Sequence, residues 1–206
     1  MENGNLVIEA RRETFEGNLF TSARLKTEGR VHFRYGTLEA RIRTPEVGSG
    51  LWPAYWMLGA VGVWPDRGEI DIMEHVGHRP GVVHASIHTE AYNHIKATQS
   101  TAASQVPDAC TAFHRYQLRW TPREIVFLID DAPIHRFAND GAGTNATWPF
   151  DAPFHLILNI AVGGFWGGAE GIDDAALPQR RCVKIFQPPT DRRAGESGDR
   201  RYGGQP

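Results

Sequence analysis

Cysteine is scarce in this chain. Only Cys110 and Cys182 occur among 206 residues, which allows at most one internal disulfide and excludes a disulfide-stapled scaffold. Their spacing leaves a pair and two free thiols equally open. An excess of either charge is also lacking: the formal net charge is −2, so nothing electrostatic favours a nucleic acid or an anionic membrane as partner. No apolar run approaches the roughly 20 residues that cross a bilayer. The opening Met-Glu-Asn-Gly-Asn has neither a basic n-region nor an apolar h-region, so no signal peptide is visible. Long helical periods and internal repeats are missing too.

What is present reads as one globular domain. Hydrophobic residues make up 41% and aromatics 10%, enough to bury a sizeable core. The 22 glycines and 13 prolines suit many strands joined by turns. Leu6 to Arg11 alternates apolar and polar, as does Gly36 to Arg43, with a further segment at Thr21 to Lys26. Strands are also expected at 51–58, 69–75, 82–89, 115–120, 124–129, 129–137 (turning at Asp130-Asp131), 154–162 and, weakly, 181–187. Residues 90 to 112 are polar and read as a long loop. Many short strands without helices between them predict an all-β antiparallel sandwich. The domain is expected over 1–187, with the Pro-, Gly- and Arg-rich 188–206 a disordered tail.

The most informative stretch is Trp64-Pro-Asp-Arg-Gly-Glu69-Ile-Asp71-Ile-Met-Glu74-His75. As a strand, Ile70 and Ile72 take one face and Glu69 and Asp71 the other. Strict alternation would then bury Glu74 among aliphatics, which is costly for an unpaired carboxylate. One extra residue near Met73, a β-bulge, returns Glu74 to the acidic face. Three carboxylates in a row cannot all ionise comfortably, so at least one titrates high. A raised acid beside an ionised carboxylate is what retaining glycoside hydrolysis requires, with the two carboxyls roughly 5–5.5 Å apart. A solvated acidic face or a cation site would leave the same pattern.

In the following strand Val83, Ala85 and Ile87 share one face, so His84, Ser86 and His88 share the other and suit a polar cleft floor. Zinc on His84 and His88 is conceivable from residue type, but no Cys is nearby. Sugar rings present flat apolar faces on which aromatics stack. Core packing is the commoner role of any single Trp, and it is the expectation for Trp56 and Trp120. Trp64 and Trp166 lie in loops beside Pro or Gly, where core packing is harder. Arg41, Arg43, Arg119 and Asn159 sit on polar strand faces; Arg41 and Asn159 are taken as candidate sugar contacts on a concave side.

Glu69-Ile-Asp-Ile-Met-Glu74 resembles the active-site signature of glycoside hydrolase family 16, in the bulged form typical of its laminarinase-like branch. The likeness extends through Trp52-Pro-Ala-Tyr-Trp56-Met-Leu-Gly, Val83-His-Ala-Ser-Ile-His-Thr-Glu-Ala-Tyr-Asn-His94 and Ala161-Val-Gly-Gly-Phe-Trp166, covering about residues 2 to 180. It implies a jelly-roll sandwich with a concave cleft. It also implies Glu69 as nucleophile, Glu74 as acid/base and Asp71 as the assisting acid, with Trp52, Trp64, His88 and Trp166 along the sugar path. No catalytic metal or cofactor is implied. The expected substrate is a β-1,3-glucan, cut by an endo-acting monomer that is secreted or cell-surface. Mixed-linkage glucan, a galactan, glycosyl transfer, or glucan binding without catalysis are the alternatives.

Three departures qualify the resemblance. The family domain begins several tens of residues earlier, and its closing strand carries an Asp where this chain has Cys182-Val-Lys-Ile-Phe-Gln187. Those terminal regions supply the family's structural calcium ligands, so calcium is not expected here. Phe165 stands where many laminarinases carry Asn, and Arg119 where a Glu is common.

Overall fold

The computed structural model describes residues 1, 3–45, 50–168 and 181–186, the last six as backbone only. The expected tail at 188–206 lies outside the described residues. The strands are β1 (Asn5–Phe15), β2 (Asn18–Thr21), β3 (Arg24–Lys26), β4 (Gly36–Arg43), β5 (Leu51–Gly59), β6 (Glu69–His75) and β7 (Val82–His88). They continue as β8 (Ser100–Gln105), β9 (His114–Trp120), β10 (Glu124–Ile129), β11 (Ala132–Ala138), β12 (Phe154–Val162) and β13 (Arg181–Phe186). One four-residue helix, α1 (Gly164–Gly167), interrupts them. No helix among the described residues is long and apolar enough to cross a membrane.

All pairings are antiparallel, and they build two sheets in the order β11-β10-β9-β4-β13-β1-β2 and β3-β12-β5-β6-β7-β8. The sheets face one another as the expected sandwich. Between them lie Leu38, Ile42, Tyr55, Met57, Ile70, Ile87, Leu118, Phe127 and Phe154. Alternation explains why these side chains meet: in β7, Val83, Ala85 and Ile87 are fully buried while the intervening residues face away. Trp120 belongs to this core, as expected, and its indole N–H donates to the Phe150 carbonyl at 3.1 Å. The Asp130-Asp131 hairpin has both residues at positive φ, 49° and 69°, the conformation that matches strand twist across a two-residue turn.

Three expectations need correction. Residues 90–112 are not one loop, because Ser100–Gln105 pairs with β7 along six residues. Its small polar side chains carry almost no strand signal, and pairing supplied what propensity did not. The segment 21–26 is likewise two strands, one in each sheet. Trp56 is not core: it points to the outer face of the second sheet, where its indole N–H donates to Asn159 Oδ1 at 2.7 Å. Every second residue of β5 is apolar on both faces, so alternation could not tell which side was which.

Candidate active site

The outer face of the second sheet carries the acids. β6 lies between β5 and β7, and its register with both neighbours breaks once. Asp71 is opposite Trp56 and Met73 opposite Tyr55 on one side; Asp71 is opposite Ser86 and Glu74 opposite His84 on the other. Ile72 and Met73 are therefore the bulge, and both are 1% exposed in the core. The surplus residue lets two consecutive apolar side chains turn inward and restores Glu74 to the face of Glu69 and Asp71. Just upstream, Gly68 sits at φ 77°, where a Cβ would lie 2.6 Å from Pro149 Cγ. Only glycine allows the chain to enter β6 this close to that wall.

Both glutamates are held by a tryptophan donor, and Asp71 has a histidine close by. Trp64 Nε1 donates to Glu69 Oε2 at 2.5 Å. Trp52 Nε1 donates to Glu74 Oε1 at 3.0 Å. His88 Nε2 stands 3.3 Å from Asp71 Oδ2. Burial is the first cause of perturbation throughout. It pushes the Asp71 carboxyl well above the usual range, reinforced by the charge of Glu69 and a hydrogen bond with it. Glu74 is raised well above its ordinary value by burial and by the charges of Asp71 and Glu69, with the Trp52 bond pulling weakly the other way. His88 is lowered by burial against the pull of Glu69. Burial thus disfavours the charged form of both partners in the His88–Asp71 contact, which weakens its character as an ion pair.

Aromatic rings complete the walls. Trp64 stacks on His94 with centroids 4.9 Å apart, and His94 lies 5.6 Å from Phe165. On the Glu74 side, Trp52 meets Trp166 edge-on at 5.2 Å, and Trp166 meets His84 at 5.0 Å. α1 rests on Trp52: a Cβ at Gly167 would be 3.5 Å from Trp52 Cβ, and backbone bonds from Gly50 to Gly167 O and from Gly163 to Gly50 O close the loop. Together these groups enclose a cleft of about 350 Å³ with Gln99 and Thr101 on its far wall. Phe165 projects at the rim, 79% exposed.

The structure thus gathers Glu69, Asp71, Glu74, Trp52, Trp64, His88 and Trp166 into one cleft. Asn159 lies on the same face, one strand beyond, holding Trp56. Arg41 is not with them. It projects from β4 in the opposite sheet, with its guanidinium 5.9 Å from the Phe113 ring, because a polar strand face is equally at home on the outside of either sheet. His94, Gln99 and Thr101 were not expected. Their segment is pinned from within: Asn93 Nδ2 donates to the carbonyls of Thr89 and Glu90, and Asn93 Oδ1 accepts from the Lys96 N–H. The Asn beside His94 was a turn signal that could have drawn attention to it. The residues bearing on calcium include the side chains of β13, which lie outside the described residues. Among the described residues, no group of three or more His, Cys, Asp or Glu has the arrangement to hold a metal ion.

A sandwich with three carboxylates and stacked aromatics on one sheet's outer face defines a carbohydrate-active class, and residues 1–176 match the model of glycosyl hydrolases family 16. The chain belongs to that family. It is 51% identical over 189 residues to a beta-glucanase of Rhodothermus marinus, covering 87% of this chain and 66% of that protein. Its structure superposes on that of the laminarinase from Rhodothermus marinus with a TM-score of 0.82 at 48% identity, covering 90% of this chain and 78% of that one. It also superposes on a mutant of a non-specific endo-β-1,3(4)-glucanase of the family, which presents 1,3-β-D-cellobiosyl-glucose at its active site. There the TM-score is 0.83 at 43% identity, over 90% of this chain and 76% of that one. The chain therefore spans about two thirds of the length of the beta-glucanase it matches.

Proposed function

We propose that this chain is a retaining, endo-acting glycoside hydrolase that cleaves β-1,3-glucan of the laminarin type. In the first step a Glu69 oxygen attacks the anomeric carbon while Glu74 gives its proton to the departing glycosidic oxygen. The C–O bond to the leaving sugar breaks and a glycosyl ester forms on Glu69. In the second, Glu74 takes a proton from water, the water oxygen bonds to the anomeric carbon, and Glu69 is released. Two inversions give net retention. Asp71, protonated and hydrogen-bonded to Glu69, holds the nucleophile's carboxylate in place between the Trp64 donor and its own. The glucan is a substrate met outside the cell, and we place the site of action there.

The observation that carries this reading is Glu74: 7% exposed, raised well above the usual carboxylate range, yet on the same wall as Glu69. Such an acid holds its proton to higher pH than a solvated carboxylate and can deliver it. The test is laminarin digestion followed by proton NMR. The first-formed reducing ends should be β-anomers, and Glu69→Gln should abolish their release. α-Anomers at the earliest times, or a Glu69→Gln protein with near-normal turnover, would remove the assignment. Mixed-linkage glucan is the second substrate to compare, since the relative of 43% identity is described as acting on β-1,3(4)-glucan. The rate ratio on the two polymers decides between them.

A further inference from the structure

The register of the cleft sheet lays three rows of side chains across its outer face. One runs Glu69, Leu58, His155; the next Asp71, Trp56, Ile157, Lys26; the third Glu74, Ala54, Asn159, Arg24. With neighbouring strands about 4.8 Å apart, His155 lies two spacings, about 10 Å, from Glu69, and Lys26 three, about 14 Å, from Asp71. At the β3 end these rows meet a second hollow of about 350 Å³, lined by Arg24, Lys26, Glu28, Arg67 and His155 over an apolar floor. It is continuous with the face that carries the acids, yet shares no residue with the cleft around them.

Its charge is opposite in sign to that of the chain as a whole. Arg24, Lys26 and Arg67 face one carboxylate, Glu28, in a chain whose net charge is −2. Lys26 is paired with Glu28, but no ion pair among the described residues engages Arg24 or Arg67. Arg24 lies over the Trp56 ring at 4.7 Å, which continues the aromatic path toward the hollow. Arg67 Nε and His155 Nδ1 are buried without a hydrogen-bond partner, and His155 is only 1% exposed. Buried polar atoms left unmet are costly, and both belong to residues that line the hollow. Neutral sugar hydroxyls do not need two unpaired guanidinium groups, whereas the planar fork of Arg matches an oxyanion.

We propose that this hollow binds an anionic substituent, a carboxylate or a sulfate ester, carried on the glucan a few sugars from the bond that is cut. This rests on the hydrolase reading above and narrows its substrate class. The test compares laminarin with sparsely sulfated and sparsely carboxymethylated laminarin of matched length at low ionic strength. At least one anionic glucan should show a KM about fivefold below that of laminarin, an advantage that fades with added salt. Which derivative is preferred identifies the oxyanion. Lys26→Ala and Arg67→Gln should each erase the preference while leaving kinetics on neutral laminarin unchanged; Lys26→Ala on an exposed strand keeps the test intact should Arg67→Gln fold poorly. Equal KM for all three glucans, or a preference that survives Lys26→Ala, overturns the proposal. Should wild-type protein leave neutral laminarin uncut, the hydrolase reading fails instead. Calorimetric affinities of Glu69→Gln for the three glucans then decide the hollow on its own, with tighter anionic binding supporting it and equal binding overturning it.

Discussion

Replacing Glu74 with Gln should destroy activity and stabilise the fold, by an amount that grows with pH. Glu74 is buried and its folded-state pKa stands well above its ordinary value of 4.5. Between those two points the folded protein keeps a proton that the unfolded chain has released. The unfolded state binds fewer protons, so stability falls as pH rises through this window. The slope for one group is about 1.4 kcal/mol per pH unit. Gln is nearly isosteric, its carbonyl can still accept the Trp52 N–H, and it does not titrate. The difference between variant and wild type should therefore open from about pH 4.5 by about 1.4 kcal/mol per pH unit. It should level off only where Glu74 ionises in the fold. For a domain of this size that corresponds to about 3–6 °C in Tm per pH unit. Buried histidines such as His75, lowered to about 4, make stability rise with pH up to the ordinary histidine range, but they do so in both proteins and cancel. Thermal melts of the two proteins by circular dichroism at several pH values between 4.5 and 8 measure the difference. Parallel Tm curves would refute the reasoning, because they would mean that Glu74 titrates like a solvated carboxylate.

Trp52→Phe keeps a ring against Trp166 but removes the N–H that lowers the pKa of Glu74; the alkaline limb of kcat/KM on laminarin should move to higher pH, and an unmoved limb would deny Glu74 the role of acid. Trp64→Phe removes the donor to Glu69 and should lower kcat by about 10- to 100-fold, the worth of a hydrogen bond to a charged group, with a smaller change in KM in steady-state assays. Gly59→Ala would place a Cβ 2.0 Å from the Arg67 carbonyl oxygen; the backbone shift it forces should cost about 1–3 kcal/mol, read as a Tm lower by about 2–12 °C.

Local pattern was enough for the acid row. An unpaired carboxylate is expelled from an aliphatic core, so the bare order Glu-Ile-Asp-Ile-Met-Glu required a surplus residue, and the bulge at Ile72 and Met73 is where that requirement is met. The same reasoning placed His84, Ser86 and His88 together, since alternation in β7 leaves no other face for them. Small side chains defeated it at Ser100–Gln105, whose strand exists because β7 has a free edge to pair with. Alternation separates the two faces of a strand but does not say which sheet the strand joins. Arg41 and Asp71 are both polar residues between aliphatics, and only long-range pairing put one on each side of the sandwich. Trp52 reaches Glu74, His94 reaches Trp64 and Arg24 reaches Trp56 across 22, 30 and 32 positions of sequence. The chain's own order thus determined which residue types could face a cleft. Their assembly around one sugar path was decided by strand register, because contacts between residues distant in sequence exist only once the sheets have closed.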